Sequence, residues 1–501
     1  MILYYFLGAK TKLIKLMAKE SLKNKTIKGT AWSAADTFLS QGVSFVIGII
    51  LARLLSPEEY GLIGLCLIVN AVLEGFVDSG FSTAVIRKVD ANDNDYNTMF
   101  IVNMFMSILL YFGVFFTSPL IADFFGRAEL IDLIKITGLV IIFNALSLTQ
   151  NTILVKRVNF KAKTKASIVS ALLSGVIGIV LAYSGFGVWA LAAQIVCRSI
   201  INTLSLWVIN RWFPNFSFSK TSFKYLWGFG WKMLVSGLLD RLWQEAYQLV
   251  VGKFYSPATL GQYTRSKHYA ALFSSNLNKI VMQVSYPVLA SIQQDKERMV
   301  SAYRKIIKTT MFVTAICMLF LAGISEPMIR VLIGDKWLQA ASFLPLICIS
   351  MSLYPLHAIN LNMLKVLGRS DLFLIYEILK KIIAIAPICL GIFVGIYAML
   401  IGSIVAGIMS FFINSWYTGK KLGYTSWKQI KDIAPNYAIG TIVALSIYFM
   451  KYLPISPFAI LPIQIIIGIF VFVFVAEMTK LQQYNDLKEI VCKGFSKIWK
   501  K

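Results

Sequence analysis

The sequence predicts an all-α integral membrane protein of about 14 transmembrane helices: two parallel six-helix repeats followed by two C-terminal helices. Three observations carry this. Hydrophobic residues fill 57% of the 501 positions and charged residues only 15%, against roughly 25% charged in soluble domains. The apolar excess is gathered into runs of about 20 residues, the length that crosses a hydrocarbon core of roughly 30 Å as a helix. The chain also repeats itself at an offset of 200–208 residues.

The first six runs lie near 30–52, 60–84, 97–118, 133–155, 165–184 and 187–210. The next six lie near 225–252, 258–288, 306–325, 340–364, 371–393 and 395–417, and two more follow at 433–451 and 457–478. The expected organisation is a basic segment over 1–29, an N-lobe over 30–212, a C-lobe over 213–418, two additional spans within 419–480 and a basic tail over 481–501. Four motifs set the register. Ser56-Pro57-Glu58-Glu59-Tyr60-Gly61 returns as Ser256-Pro257-Ala258-Thr259-Leu260-Gly261. Pro119-Leu120-Ile121 before Gly126 returns as Pro327-Met328-Ile329 before Gly334. Phe186-Gly187-Val188-Trp189 returns as Val394-Gly395-Ile396-Tyr397, and Ile209-Asn210-Arg211-Trp212 as Ile413-Asn414-Ser415-Trp416. Six is even, so both copies enter the membrane in the same direction.

A formal charge of +25 invites a nucleic-acid reading, but its distribution excludes one. About 34 of the 49 Lys and Arg fall at the two ends and in alternate loops, the bias that marks cytoplasmic segments. These include Arg87-Lys88, Lys156 to Lys165, Lys296 to Lys308 and Lys420 to Lys431. Both termini are therefore expected in the cytoplasm of a bacterial inner membrane, where the tails would meet anionic headgroups. Met1–Ala9 is apolar, but Lys10, Lys12, Lys15 and Lys19 follow it. A signal peptide has the reverse order, so no cleavage is expected.

Charge inside an apolar span costs about 2.5–3.5 kcal/mol at its centre and usually marks a pathway. Phased at about 100° per residue, four spans carry polar faces. Span 1 carries Ser33, Asp36, Thr37, Ser40, Gln41 and Ser44; span 2 carries Asn70, Glu74 and Asp78. Span 7 carries Ser236, Asp240, Arg241, Gln244, Glu245 and Gln248; span 8 carries Arg265, His268, Ser275, Lys279 and Gln283. They are the first two helices of each repeat, and face-to-face repeats would line one central cavity with them. The cations and amides suit an anionic substrate: Arg241, Arg265, His268, Lys279, Gln244 and Gln41. The acids Asp36, Glu74, Asp78, Asp240 and Glu245 suit uptake of H+ or Na+ as the coupling ion. The competing reading is plain pairing, Asp240 with Arg265 or Glu74 with Lys279. His268 and His357 sit in no ligand pattern, so no metal is expected, and no other cofactor is implied.

Other chemistry finds little room. There is no phosphate-binding Gly-x-x-x-x-Gly-Lys-Ser/Thr loop. Asp93-Asn94-Asp95 reads as a solvated turn. No loop outside the membrane exceeds about 20 residues, so no soluble catalytic domain is expected. The chain is read as a transporter, not an enzyme.

Ser21 to Ser33, Ile50-Leu51-Ala52-Arg53-Leu54-Leu55-Ser56-Pro57-Glu58-Glu59-Tyr60-Gly61-Leu62 and Asp78 to Arg87 resemble Wzx-type lipid-linked oligosaccharide flippases. These belong to the multidrug/oligosaccharidyl-lipid/polysaccharide exporter superfamily, here closest to its colanic-acid exporter branch. The resemblance covers about 21–480 and implies two six-helix lobes around a central cavity. It also implies export of undecaprenyl-pyrophosphate-linked repeat units of lipopolysaccharide, capsule or exopolysaccharide, with cavity cations such as Arg241, Arg265 and Lys279 on the pyrophosphate and sugars. Implied partners are membrane lipids and a polysaccharide polymerase or other assembly protein. The helices at 433–478 resemble those forming a lipid-tail groove in related flippases. Two alternatives stay open: a multidrug or metabolite antiporter of the same superfamily, and a membrane-embedded glycan polymerase or ligase. The antiporter class usually has 12 spans; the enzyme class needs a large periplasmic loop.

Overall fold

The computed structural model describes residues 39–77, 80–486 and 488–489. Asp36 and Asp78 lie outside the described residues, as do Ser33 and Thr37. The described residues are helical with short connections, and none forms a strand. The chain divides into two compact units between Lys253 and Phe254.

The first unit holds α1 (Leu39–Leu54), α2 (Pro57–Val77), α3 (Phe81–Arg87), α4 (Asp93–Phe125), α5 (Leu130–Lys156), α6 (Phe160–Tyr183), α7 (Val188–Asn210) and α8 (Lys220–Phe254). The second holds α9 (Pro257–Ser291), α10 (Lys296–Gly323), α11 (Ser325–Ile333), α12 (Leu338–Ser352), α13 (Tyr354–Val366), α14 (Ser370–Ile383), α15 (Ile385–Phe393), α16 (Ile396–Leu422), α17 (Ser426–Tyr448) and α18 (Pro457–Thr479). Within the described residues, each of the predicted spans falls on helix. Ten helical stretches among the described residues are long and apolar enough to cross a membrane, and α1 is a shorter apolar helix. The polar α8 and α9 have 35 residues each, and the pair α14 and α15 supplies a broken span. These bring the architecture into line with 14 crossings.

Proline explains two interruptions. Its ring clashes with the carbonyl four residues back, so a helix cannot run through it unchanged. Pro355 stands in the first turn of α13, just after α12 ends at Ser352. Pro387 stands near the start of α15, just after α14 ends at Ile383.

Three of the repeated motifs are helix punctuation. Ser56 precedes Pro57 at the head of α2; its backbone N–H donates to Glu59 Oε2 at 2.6 Å and its Oγ accepts from the Glu59 N–H at 3.3 Å. Ser256 caps α9 in the same way, accepting from the Thr259 N–H at 3.2 Å. Such reciprocal bonds satisfy orphan N–H groups of the first turn. Gly126 and Gly334 follow α4 and α11 at φ of +68° and +93°, where glycine costs least. Gly187 and Gly395 open α7 and α16.

In the first unit α5 is central, packed against α2, α4 and α7. Trp207 Nε1 donates to the Leu146 carbonyl at 3.0 Å and Thr203 Oγ1 to the Phe143 carbonyl at 2.8 Å, so α7 is pinned to α5. Helix α8 lies against α2 and α3 of the same unit. A Cβ on Gly75 would stand 2.9 Å from Leu238 Cδ2, and one on Gly80 would stand 2.8 Å from the Gly230 carbonyl oxygen.

The second unit is organised on α10 and α17. Arg304 Nη2 donates to Asp432 Oδ1 at 2.7 Å, Tyr424 Oη to Asp432 Oδ2 at 2.9 Å, and Lys308 Nζ stands 3.6 Å from Asp432 Oδ1. Deeper, the fully buried Tyr303 donates to Asn360 Oδ1 at 2.5 Å, and Asn360 is bonded to Gln429. Gly440 lets α17 approach Leu319, and Gly468 lets α18 approach Phe320. The two C-terminal helices are therefore bolted to α10.

Gly80 and Gly126 share φ +68°, but only Gly80 is crowded. Gly126→Ala is expected to cost about 1–2 kcal/mol through its backbone alone. Gly80→Ala is expected to cost about 1–3 kcal/mol more, from overpacking against α8. Melting temperatures of the two variants in detergent measure this; equal losses would refute the close approach of Gly80 to Gly230.

Candidate substrate and coupling-ion sites

Helix α9 has two polar faces, and the structure uses them differently. Gln262 Nε2 donates to the Lys336 carbonyl at 2.7 Å and its Oε1 accepts from the Ala340 N–H at 2.8 Å. Ser266 Oγ donates to the Ala340 carbonyl at 2.7 Å, Ser274 Oγ to the Met351 carbonyl at 2.7 Å, and Ser285 Oγ accepts from Asn362 Nδ2 at 2.9 Å. This face fastens α9 to α12, α13 and the turn before them. The stripe predicted from the sequence lies roughly 180° around the helix. On it Arg265 and Ser275 are half-buried, while His268 and Lys279 are exposed. On α9 these bonds are made by neutral residues, and the cations of the stripe lie on the opposite face. A helix face bearing three basic residues is too costly for lipid and belongs to a wet or polar surround.

The first unit gathers its acid differently. Glu74 on α2 accepts from Asn144 Nδ2 on α5 at 2.7 Å, and Asn144 Oδ1 accepts from Ser199 Oγ on α7 at 2.8 Å. Arg241 on α8 is close enough for its charge to act on Glu74. Its Cγ is 3.8 Å from where a Cβ on Gly75 would be. So Glu74, Asn144, Ser199 and Arg241 bring four helices to one carboxylate. Asn70, one turn earlier, is buried and donates to the Thr137 carbonyl at 3.2 Å, a packing role. On α8, Asp240, Arg241 and Gln244 are exposed, and half-buried Glu245 accepts from Gln248. Gln41 on α1 is half-buried.

One expectation is corrected. Asp93-Asn94-Asp95 is not a solvated turn. It opens α4, where Asn92 and Asp95 form a capping box. Asp95 is fully buried and takes an ion pair from Lys88 at 2.8 Å. The triplet is a helix start held by a basic loop. Asn144 and Ser199 were not anticipated. Asn144 is one polar residue in an apolar run, Ile141-Ile142-Phe143-Asn144-Ala145, and Ser199 is a small hydroxyl beside Arg198; neither forms a stripe with charged residues at helical spacing.

The sequence profile of the polysaccharide biosynthesis protein family matches residues 50–342. The chain belongs to that family. It is 25% identical over 368 residues to the succinoglycan biosynthesis transport protein ExoT of Rhizobium meliloti, covering 73% of this chain and 74% of the relative. It is 23% identical over 442 residues to the lipopolysaccharide biosynthesis protein WzxC of Escherichia coli, covering 84% and 89%. Among solved structures the fold resembles the lipid II flippase MurJ in an inward closed conformation, with a TM-score of 0.71 at 18% identity, over 91% of this chain and 99% of that one. An inward-facing multidrug transporter of the MATE family, from the MOP superfamily, aligns with a TM-score of 0.58 at 16% identity, over 78% and 96%. This family member thus has the helical fold of that superfamily and is a multi-pass membrane protein.

The two faces of α9 should separate in stability measurements. Gln262→Leu and Ser266→Leu strand buried backbone partners and are expected to cost about 1–3 kcal/mol each. His268→Ala and Lys279→Ala are expected to stay within about 0.5 kcal/mol of the parent. Thermal unfolding in detergent tests this, and comparable losses on both faces would show that the stripe is itself packing.

Proposed function

We propose that this chain flips undecaprenyl-pyrophosphate-linked oligosaccharide repeat units from the cytoplasmic to the periplasmic leaflet of a bacterial inner membrane, by cation-coupled alternating access. The lobes would be 30–212 and 213–418, and both termini cytoplasmic. The observation that carries the reading is α9. Its neutral face makes the packing bonds to α12 and α13, and Arg265, His268 and Lys279 lie together on the opposite face, where they would meet a ligand. A pyrophosphate diester matches such cations through charge-assisted bonds, bidentate to Arg265. Arg241, Gln244 and Gln41 would add donors to pyrophosphate and sugar hydroxyls. Family membership, and the printed roles of ExoT and WzxC in succinoglycan and lipopolysaccharide biosynthesis, support a glycan cargo.

Glu74 is the acid best supported as the coupling group, with Asp36, Asp78, Asp240 and Glu245 as further members of the proposed set. A carboxylate held by a neutral amide, under the field of one arginine, can exchange that balance for H+ or Na+. One charge moving through 100 mV supplies about 2.3 kcal/mol. A polymerase or other assembly protein would take the exported unit.

The test is the leaflet distribution of polyprenyl-pyrophosphate glycans in spheroplasts with and without the gene. Cytoplasmic-face accumulation, relieved by the intact gene, is expected. Arg265→Ala with Lys279→Ala should lower export about 100-fold or more at near-normal protein level, as the loss of two charged hydrogen bonds implies. Normal export from that double variant would sink the cavity assignment. Glu74→Gln should weaken substrate-driven ion flux more than substrate binding. An unchanged leaflet distribution combined with altered resistance to cationic drugs would favour an antiporter.

A further inference from the structure

The second unit contains a cavity of about 280 Å³ that the transport reading does not use. One wall is the start of α10, where Ser301, Arg304, Lys305 and Lys308 share a face at one-turn spacing. The other wall is the helical turn directly after α18, which contributes Gln483 and Asp486. Both walls stand at helix ends rich in Lys and Arg, the level of phospholipid headgroups.

The charges are arranged but not balanced. Lys305 Nζ is 2.9 Å from Asp486 Oδ2. Arg304 and Lys308 share Asp432, at 2.7 and 3.6 Å. Among the described residues lining the cavity and their partners, three cations thus face two carboxylates, leaving one positive charge over. Lys305 and Arg304 remain 67% and 53% exposed at their side chains, so their spare N–H donors are reachable. Gln483 is only 5% exposed, yet its Oε1 has no hydrogen-bond partner among the described residues. An orphaned acceptor buried in a cavity wall calls for a donor from whatever fills the cavity. The occupant must therefore bring a single negative charge with several acceptor oxygens, and also a hydrogen-bond donor.

We propose that this cavity binds the headgroup of an anionic glycerophospholipid that carries a hydroxyl, as phosphatidylglycerol does. The phosphodiester meets Arg304, Lys305 and Lys308. A headgroup hydroxyl donates to Gln483 Oε1. The acyl chains leave along the apolar surface of α10 and α18. Because Arg304 and Lys308 also hold Asp432 of α17, an occupied site would tie the two C-terminal helices to the lipid leaflet. The proposal does not depend on the cargo, because its test is a binding measurement with no transport step.

The test uses the purified full chain in detergent, with binding of dioctanoyl phosphatidylglycerol, dioctanoyl phosphatidylcholine and inorganic phosphate read by native mass spectrometry and by thermophoresis. Phosphatidylglycerol should bind about tenfold more tightly than phosphatidylcholine, which lacks both the net charge and the donor. Ser301 and Lys305 are exposed and stand outside the Arg304–Asp432 clamp. Lys305→Gln should weaken phosphatidylglycerol about tenfold, and Ser301→Trp should block it, both at an unchanged melting temperature. Equal binding of the two lipids, or parent-like binding by both variants, overturns the site. Inorganic phosphate binding as tightly as phosphatidylglycerol would show a soluble-phosphate site and overturn the lipid assignment.

Discussion

Within a hydrocarbon layer no water is at hand to satisfy a stranded N–H, carbonyl or side-chain dipole. The described helices are arranged around that constraint. It is most visible on α9, which at 35 residues carries too many polar groups to be a simple span. Gln262 alone satisfies the Lys336 carbonyl before α12 and the Ala340 N–H in its first turn, and Ser266 and Ser274 take up two more carbonyls. Neutral groups can do this at little desolvation cost, whereas a charged group in the same place would have to be neutralised as well. The structural bonds of this face fall to amides and hydroxyls, while Arg265, His268 and Lys279 stand on the opposite face.

The same economy governs the other buried polar clusters, with a different result where charge is required. Tyr303, Asn360 and Gln429 form a neutral knot between α10, α13 and α17. Asp432 is charged and sits near a helix end, where Arg304, Lys308 and Tyr424 meet it. Glu74 is the exception: a carboxylate within a span whose hydrogen bond comes from the neutral Asn144 and whose charge is acted on by Arg241. A buried acid tied permanently to a matched cation gains nothing from binding another. One held by an amide that is itself oriented by Ser199 keeps its shape while its charge state changes. That difference, rather than burial alone, separates Glu74 from Asp432 as a coupling candidate.

Much of this was legible in the chain. Apolar runs located the ten helical stretches long and apolar enough to cross a membrane, because length and hydrophobicity are set by the bilayer and not by the neighbours of a helix. The α9 stripe was legible because charges recur on it at helical spacing. Its second polar face was not, because serine and glutamine scattered in a span carry no sign of which carbonyl they reach. Asn144 and Ser199 escaped for the same reason: their role comes from tertiary proximity, across 55 residues of chain. Asp95 was misread because its motif looks hydrated in isolation, whereas Lys88 folds back to bury it. The breaks before α13 and α15 were written in Pro355 and Pro387, but a membrane helix tolerates proline often enough that the residue alone does not decide.

The internal repeat shows which sequence features such a fold retains. Helix interiors facing lipid accept any apolar residue, so two copies of one unit lose their likeness there first. Helix ends do not have that freedom. The first turn needs an acceptor for its N–H groups, which Ser56 and Ser256 supply, and the last turn favours a left-handed residue, which Gly126 and Gly334 supply. The fourth motif is instructive because it is not a cap in both copies. Asn210 ends α7, while Asn414 lies inside α16. Yet Asn210 donates to Gln150 Oε1 at 2.6 Å and Asn414 lies 3.3 Å from His357 Nδ1, each reaching the neighbouring long-packed helix of its own unit. A buried polar pair is as hard to replace one partner at a time as a cap is, since either single change strands the other group. The likeness between the copies thus survives where the backbone or a buried dipole demands a particular chemistry.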